Sequence, residues 1–191
     1  EFLRNNGIKK IIACVGYKNE KIKEFFGNGG KFGVDITYVV EDKPMGTAGP
    51  FTLAKNLIKD TTVVINVDTL LNPNLQEVFE FHKSNSAVAT MVLTTIDDVS
   101  SSGVVKVRGN QIVEFVEKPK GKTDSKLVNA GLYIIEPEII DYIPKNKFSM
   151  LEKDIFPQLA KEGKMFGFVW DGKFFDIGTP DRYEKAIKEW R

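Results

Sequence analysis

Residues 62–68 carry the sequence feature that most restricts how this chain can fold. Five of the seven residues are β-branched and four of those are apolar, with no polar alternation before the run ends. Such a run predicts a strand covered on both faces, as in the middle of a parallel sheet. Asp68 ends the run, at the edge where open α/β sheets bind ligands. A turn leading through Asn72-Pro73 would explain this aspartate equally well.

The first half of the chain alternates strand and helix signals. Three strand-like runs are each followed by a helical pattern, at residues 8–15 and 19–26, 34–40 and 48–58, and 62–68 and 75–85. This order is typical of a parallel, doubly wound sheet with helices on its faces.

The second half of the chain is richer in strands. The strand signals lie at residues 87–95, 103–107, 111–116, 127–135, 166–170 and 173–177. Arg108-Gly109-Asn110 separates two of them and predicts a hairpin. Ser149, with Glu152 three residues later, predicts a capping box for a helix to residue 162. Thr179-Pro180 predicts the start of a last helix to residue 190.

Composition narrows the classes of partner. The net charge of +1 gives no electrostatic basis for binding nucleic acid or a membrane. The single cysteine, Cys14, lies in an apolar run, so we expect a small core residue and no disulfide within the chain. The single histidine, His82, cannot form a histidine-based metal site alone. No apolar run approaches the roughly 20 residues of a transmembrane helix, and we expect a cytoplasmic protein.

Several predicted strands end in charged residues. Asp68 and Asp176 each end a strand, and Glu117-Lys118 ends the hairpin. Two such carboxylates would suit Mg²⁺, which takes few protein carboxylates and leaves room for phosphates. Acids at strand ends are common, so the pattern alone favours unrelated surface acids. Gly46-Thr47-Ala48-Gly49 precedes a helix and offers N–H groups to an anion or a base edge, a weak signal because many loops share it.

Six motifs taken in order are more specific than any one of them. They are Gly46-Thr47-Ala48-Gly49, Asn66-Val67-Asp68, Gly103-Val104-Val105, Glu117-Lys118-Pro119, Asn129-Ala130-Gly131 and Phe175-Asp176-Ile177-Gly178-Thr179-Pro180. The set resembles the sugar-1-phosphate nucleotidyltransferases, or nucleotide-sugar pyrophosphorylases, and is most similar to members that act on mannose 1-phosphate with GTP. The resemblance implies a doubly wound, Rossmann-like mixed sheet of the nucleotide-diphospho-sugar transferase type, as a single domain over residues 1–191.

The resemblance also implies a reaction. Such enzymes transfer a nucleotidyl group from a nucleoside triphosphate to a sugar 1-phosphate and release pyrophosphate, with Mg²⁺ as the cofactor. Catalysis is mostly alignment of two polyanions and neutralisation of their charge. By resemblance, Asp68 and Asp176 hold Mg²⁺, and Lys118 grips the sugar phosphate as a point charge.

The same resemblance assigns the binding residues. Glu117 accepts protons from sugar hydroxyls, and the other residues expected beside the sugar phosphate are Gly103, Asn129 and Gly131, together with Lys118. The residues expected to bind the nucleotide are Glu41, Gly46, Thr47 and Asn66. Further partners that we expect are a second copy of the chain or a separate N-terminal segment.

Glu41 bears on the choice of base. It matches the family position that contacts the Watson–Crick edge, and a carboxylate only accepts hydrogen bonds. Guanine offers adjacent N1–H and N2–H donors, whereas thymine and uracil place one N–H between two carbonyls. We therefore expect GTP, with mannose 1-phosphate or a related manno-heptose phosphate as acceptor. A solvated loop acid beside Asp42 is the alternative explanation of Glu41.

The chain departs from the family pattern in two places. Nothing in residues 1–191 matches the family's first strand and Gly-Gly-x-Gly-Thr-Arg-Leu-x-Pro loop, so we expect an N-terminally truncated domain that turns over poorly. The missing strand would lie beside the strand that ends at Asp68 and leave two unpaired inner edges. Val67 stands where the family has glycine, and it either crowds the nucleotide or points into the core.

Three hypotheses follow from the sequence. The first is a guanylyltransferase whose first segment is lost or carried by another chain, with a thymidylyl- or uridylyltransferase acting on glucose 1-phosphate as the alternative within this class. The second is a non-catalytic homologue that binds sugar phosphates or a partner chain. The third, which the six ordered motifs disfavour, is an α/β domain without a ligand.

Overall fold

The structure is a computed structural model that describes residues 1–99, 102–117, 125–145 and 147–190. The helices in these ranges are α1 (Phe2–Asn5), α2 (Asn19–Phe26), α3 (Gly49–Ala54), α4 (Leu75–Ser84), α5 (Phe156–Lys161) and α6 (Pro180–Glu189). The strands are β1 (Lys10–Val15), β2 (Asp35–Val40), β3 (Thr62–Ile65), β4 (Thr69–Leu70), β5 (Ala89–Thr95), β6 (Gly103–Arg108), β7 (Gln111–Glu117), β8 (Leu127–Ile135), β9 (Met165–Val169) and β10 (Phe175–Asp176). Short 3₁₀ turns occupy Gly30–Phe32 and Pro137–Tyr142, and a π-helical turn occupies Leu151–Ile155.

Six of the strands form one mixed sheet in the order β3-β8-β5-β9-β7-β6. Only the β5–β9 pair within it is parallel among the described residues. β1 and β2 form a separate parallel pair, and β4 and β10 a short antiparallel pair. The predicted mixed α/β architecture and the predicted hairpin of β6 and β7 are therefore confirmed.

β3 does not lie in the middle of a parallel sheet, which corrects the expectation for residues 62–68. Within the described ranges it pairs with β8 alone and in antiparallel register, from Thr62 opposite Ile135 to Ile65 opposite Leu132. Its four residues are half-buried. Val63 and Val64 nevertheless pack against different hydrophobic clusters, because successive side chains point to opposite faces. The apolar run indicates two covered faces but says nothing about which edges are paired.

The hydrophobic core lies on both faces of the mixed sheet, and β8 divides it. Tyr133 and Ile135 pack into a cluster with Phe156 and Leu159 of α5. The alternate residues of β8 pack into a second cluster, whose fully or nearly fully buried members are Leu71, Leu75, Val78, Val92, Ala130, Leu132 and Ile134. β8 is thus the buried strand that fixes the positions of the loops at both of its ends.

Three local expectations are wrong. Cys14 is exposed on β1 and does not pack as a small core residue. Ser149 and Glu152 do not form a capping box, because Met150 precedes the π-helical turn and Glu152 bonds elsewhere. The strand expected at residues 173–177 shortens to β10, which pairs with β4 rather than returning along β9. The expected start of the last helix is confirmed, since the Thr179 hydroxyl accepts from the Arg182 amide.

None of the helices within the described ranges combines the length and the apolar composition of a membrane span.

Candidate functional site

Asp68 and Asp176 are brought together around Gly178. A Cβ placed on Gly178 would lie 3.2 Å from Oδ1 of Asp176 and 3.4 Å from Oδ2 of Asp68. Asp68 is exposed and Asp176 is partly exposed, so both carboxylates reach solvent. Two residues 108 positions apart in sequence therefore present oxygen atoms to one small region of the surface.

Backbone pairing between β4 and β10 holds this pair in place. Asp176 lies opposite Thr69 in the antiparallel register. The carbonyl of Asp68 accepts a 2.7 Å hydrogen bond from the amide of Ile177. The carboxylate of Asp176 accepts from the amide of Gly178 at 2.9 Å and from Nη1 of Arg182 at 2.6 Å. Main-chain hydrogen bonds thus fix the backbone of both aspartates, and the carboxylate of Asp176 also has a cation partner from α6.

The pair suits a divalent cation that binds phosphate at the same time. The described residues contain no group of three or more histidine, cysteine, aspartate or glutamate residues that would enclose a metal. Mg²⁺ needs no such group, because it binds through one or two carboxylates and keeps waters or substrate phosphates as its other ligands. Asp68 and Asp176 meet that requirement.

Val67 lies between Asn66 and Asp68 with 97% of its surface exposed. The side chain was expected either to crowd the nucleotide or to point into the core, and this exposure excludes the core. The valine therefore stands at the rim of the carboxylate pair.

Asn66 and Gly131 meet beside the carboxylates. The amide of Asn66 donates to the carbonyl of Gly131 at 2.9 Å. Gly131 has a φ of +73°, and a Cβ there would lie 2.7 Å from Oγ1 of Thr69 and 3.2 Å from Nδ2 of Asn66. A glycine is required both by this backbone conformation and by this close approach. The two motifs that contain Asn66 and Gly131 are joined directly.

Asn129 continues this arrangement into the protein. Its Oδ1 accepts from the amide of Gly131 at 2.8 Å, and its Nδ2 donates to the hydroxyl of Tyr133 at 2.7 Å. Burial, followed by the nearby charge of Glu152, raises the pKa of Tyr133, so this tyrosine is a neutral hydroxyl at all ordinary pH values. The side chain of Asn66 lies close enough to the Tyr133 hydroxyl to lower its pKa, against the effect of burial. Both asparagines are therefore near one buried hydroxyl.

Gly103 and Glu117 face each other across the hairpin of β6 and β7. A Cβ on Gly103 would lie 2.6 Å from the Phe115 ring and 2.9 Å from Oε2 of Glu117. Val104 pairs with Val128 of β8, so Gly103 and Asn129 are the next residues along that ladder. The hairpin end thus meets the Asn129 region. Lys118 lies outside the described residues, and its predicted place at this end stays a prediction.

Glu41 closes the loop that leads to Gly46. Its Oε2 accepts from the amide of Met45 at 2.9 Å, and its own amide bonds to the carbonyl of Val15. The side chain is partly buried rather than fully solvated. A carboxylate held in this way presents its acceptor atoms in a fixed direction.

Gly46 and Thr47 contact the segment that precedes α5. Gly46 has a φ of +79°, and a Cβ there would lie 2.3 Å from the carbonyl oxygen of Ser149. The hydroxyl of Thr47 donates to Oε2 of Glu152 at 2.5 Å. Gly46 is therefore required by packing within the protein, whether or not a base approaches it.

Two cavities lie away from the carboxylate pair. One of about 430 Å³ is lined by His82, Glu136 and Lys164 among others, at the end of β3 opposite to Asn66. Another of about 470 Å³ borders the Glu41 loop and includes Lys43, Met45 and Phe148 in its lining. Neither of these two cavities is lined by Asp68 or Asp176.

Three residues near the predicted site escaped the sequence analysis: Arg182, Tyr133 and Glu152. Arg182 lies in the first turn of α6, whose start at Thr179-Pro180 was predicted. Helix geometry alone would therefore have placed it near Asp176. Tyr133 lies in an apolar strand, and Glu152 was assigned to a cap. Only the tertiary contacts reveal the last two.

Comparison with known proteins identifies the family of the chain. The family described as nucleotidyl transferase matches residues 1–191. The mannose-1-phosphate guanyltransferase of Yarrowia lipolytica is 39% identical over 186 residues, which cover 94% of this chain and 51% of that protein. The protein of the same name from Saccharomyces cerevisiae is 37% identical over 187 residues, with 94% and 51% covered. The chain spans about half the length of the curated relatives it matches.

Two solved structures are similar over almost the whole chain. One is a putative glucose-1-phosphate thymidylyltransferase from Bacillus anthracis in complex with a sucrose, with a TM-score of 0.87, 26% identity, and 98% of this chain and 78% of that chain covered. The other is HddC from Yersinia pseudotuberculosis complexed with GMP-PN, with a TM-score of 0.83, 27% identity, and 100% and 82% covered.

Proposed function

The chain belongs to the nucleotidyl transferase family, and we propose that it contributes the metal, sugar-phosphate and base-binding residues for transfer of a guanylyl group from GTP to mannose 1-phosphate or a related manno-sugar phosphate. The products are the GDP-sugar and pyrophosphate. The observation that carries the proposal is the placement of Asp68 and Asp176 around Gly178, directly beside the contact of Asn66 with Gly131.

The choice of GTP is supported by two independent features. The curated relatives at 39% and 37% identity are mannose-1-phosphate guanyltransferases. Glu41 is held by the Met45 amide, so its carboxylate is oriented before any ligand arrives. An acceptor-only group of this kind suits the adjacent N1–H and N2–H donors of guanine.

The proposed mechanism relies on positioning and charge. Asp68 and Asp176 would hold Mg²⁺, which when bound would neutralise phosphate charge at the reacting centre. Lys118 grips the sugar phosphate, and Glu117 accepts protons from sugar hydroxyls. Asn66 and Asn129, oriented through Tyr133, fix the polar groups between the two substrates. The sugar-phosphate oxygen then attacks the α-phosphorus, and the bond to pyrophosphate breaks.

Titration calorimetry with GTP and Mg²⁺ tests the proposal. We expect the chain to bind GTP more tightly than dTTP or UTP, and Glu41→Gln to remove most of that preference. Asp42→Asn is the matched control, because Asp42 is the neighbouring exposed acid. Equal binding of all three nucleotides by the unaltered chain would disprove the choice of base.

A second candidate function is thymidylyl transfer to glucose 1-phosphate. It is favoured by the similarity to the putative glucose-1-phosphate thymidylyltransferase, at a TM-score of 0.87. A preference for dTTP over GTP in the same titration would select it. Binding of mannose 1-phosphate without binding of any nucleotide would instead indicate a non-catalytic homologue.

A further inference from the structure

The loop around Thr47 is attached at four points to the segment before α5. The carbonyl of Ser149 accepts from the amides of Ala48 and Gly49 at 2.9 and 3.3 Å. The amide of Ser149 donates to the carbonyl of Met45 at 2.9 Å, and the amide of Leu151 donates to the hydroxyl of Thr47 at 2.9 Å. The loop proposed to contact the base is therefore held against residues more than 100 positions later in the chain.

Glu152 makes the fifth attachment, and it is the only one through a charged group. Its Oε2 accepts a short hydrogen bond, 2.5 Å long, from the hydroxyl of Thr47. The glutamate is only 8% exposed. A buried carboxylate is costly unless it is hydrogen-bonded, and this one bonds to the loop rather than to the amides that begin its own turn.

The π-helical turn that carries Glu152 shares a hydrophobic cluster with Tyr133 through Leu151 and Ile155. The ring of Phe156, the residue that follows this turn, lies 5.0 Å from the Tyr133 ring. Tyr133 in turn accepts the hydrogen bond from Asn129, in the region proposed to bind the sugar. π-Helical turns are frequent at functional sites. Glu152 thus bonds to the base loop from a turn that packs in the same cluster as Tyr133, the hydroxyl partner of Asn129.

We infer that Glu152 is a positioning residue that fixes the base loop, residues 45–49, relative to Tyr133 and Asn129, and so couples nucleotide binding to sugar-phosphate binding. The inference rests on the proposed function. It assigns Glu152 no contact with either substrate. Coupling between two ligands is reciprocal. If Glu152 increases the effect of nucleotide on sugar-phosphate affinity, it increases the effect of sugar phosphate on nucleotide affinity by the same factor.

The test measures binding of mannose 1-phosphate with and without a saturating non-hydrolysable GTP analogue. Glu152→Gln keeps the size of the side chain and removes its charge. We expect this change to weaken binding of both ligands and to reduce their mutual effect on the order of tenfold, because the Thr47 hydroxyl then bonds to a neutral amide oxygen instead of a charged carboxylate. Glu80→Gln, on the exposed face of α4, is the control for loss of one acidic charge.

Thr47 supplies the rescue experiment. Thr47→Val removes the hydroxyl and should reproduce the loss of coupling, whereas Thr47→Ser retains the hydroxyl and should restore it. Glu152→Gln added to Thr47→Val should then have little further effect on coupling, because Thr47→Val already removes the bond between these two side chains, together with the bond from the Leu151 amide. Thermal unfolding of each variant separates this result from a general loss of stability, which would weaken binding in Thr47→Ser as well.

The outcomes distinguish the inference from the proposed function. If the unaltered chain binds both ligands and Glu152→Gln leaves their coupling unchanged, the positioning role is disproved and the proposed function stands. If the unaltered chain binds neither GTP nor mannose 1-phosphate, the proposed function fails and the inference fails with it. Loss of coupling in Glu152→Gln and Thr47→Val, with rescue in Thr47→Ser, supports both.

Discussion

Nη1 of Arg182 lies 2.6 Å from Oδ2 of Asp176, one of the two carboxylates that flank Gly178. Oδ1 of the same carboxylate accepts from the Gly178 amide at 2.9 Å. Both oxygens of Asp176 are therefore engaged, whereas Asp68 is an exposed carboxylate. A metal ion that uses Asp176 has to compete with the guanidinium of Arg182.

Removing that competition should strengthen metal binding. We expect Arg182→Ala to bind Mn²⁺ up to about fivefold more tightly, because an ion pair this exposed contributes no more than about 1 kcal/mol. Asp68→Asn and Asp176→Asn should each abolish most of the binding. Titration followed by electron paramagnetic resonance measures free Mn²⁺ directly. Lys188→Ala, on the same helix, is the control cation, and weaker binding in Arg182→Ala would contradict the competition.

Replacing Gly46 should destabilise the base loop even when no ligand is bound. The backbone φ of Gly46 is +79°. A Cβ added there would lie 2.3 Å from the Ser149 carbonyl oxygen. We expect Gly46→Ala to lower the free energy of unfolding by about 3 kcal/mol, from backbone strain and steric overlap together. Urea denaturation provides the measurement.

Gly109 is the matched control for Gly46. It also has a positive φ, +58°, but a Cβ there would meet nothing within 4 Å. Gly109→Ala should therefore cost only the left-handed strain, about 1 kcal/mol. Equal losses in the two variants would show that the contact between Gly46 and Ser149 is unimportant.

The sequence predicted the parts of this molecule that depend on local pattern. The hairpin, the start of α6 at Thr179 and the meeting of Asp68 with Asp176 all follow from motifs whose geometry is short-range or whose order is shared by a family. It did not predict the pairing of β3, because an apolar run reports covered faces and not paired edges. Glu152 was misassigned for a related reason: a capping box and a long-range bond to Thr47 use the same residue type.

Cys14 offers a chemical test of the position of Glu41. The thiol reaches solvent, but partial burial and, secondarily, the charge of Glu41 raise its pKa to about 11. Only about a thousandth of the thiol is then ionised at pH 8, so alkylation should be slow. Glu41→Gln removes the negative charge, lowers the pKa and should speed alkylation by iodoacetamide severalfold at that pH. Asp42→Asn should change the rate little, and a similar acceleration in both variants would contradict the assignment.

His82 is buried away from the site, where Nδ1 lies 2.8 Å from the Thr90 hydroxyl and Nε2 lies 3.1 Å from Oε1 of Glu136. Burial lowers its pKa below 6.5, although the hydrogen bond and the charge of Glu136 act in the opposite direction. The neighbouring cation of Lys83 lowers it further. His82 is therefore neutral in the folded protein at pH values where it is already protonated in the unfolded chain.

The stability of the chain should consequently fall as the pH drops below 6.5. In that range the unfolded state binds a proton that the folded state excludes. The contribution of neutral His82 to the free energy of unfolding is therefore complete above pH 6.5 and is lost as the pH falls toward the lowered pKa of the folded state. His82→Gln cannot titrate, and the difference in unfolding free energy between the two proteins should shrink between about pH 7.5 and pH 5.5. Carboxylates remote from His82 titrate alike in both proteins and cancel in this comparison. Because the chain has one histidine, its single imidazole resonance in nuclear magnetic resonance spectra reports the same pKa directly. A difference that grows at low pH would instead mean that His82 is charged and paired with Glu136.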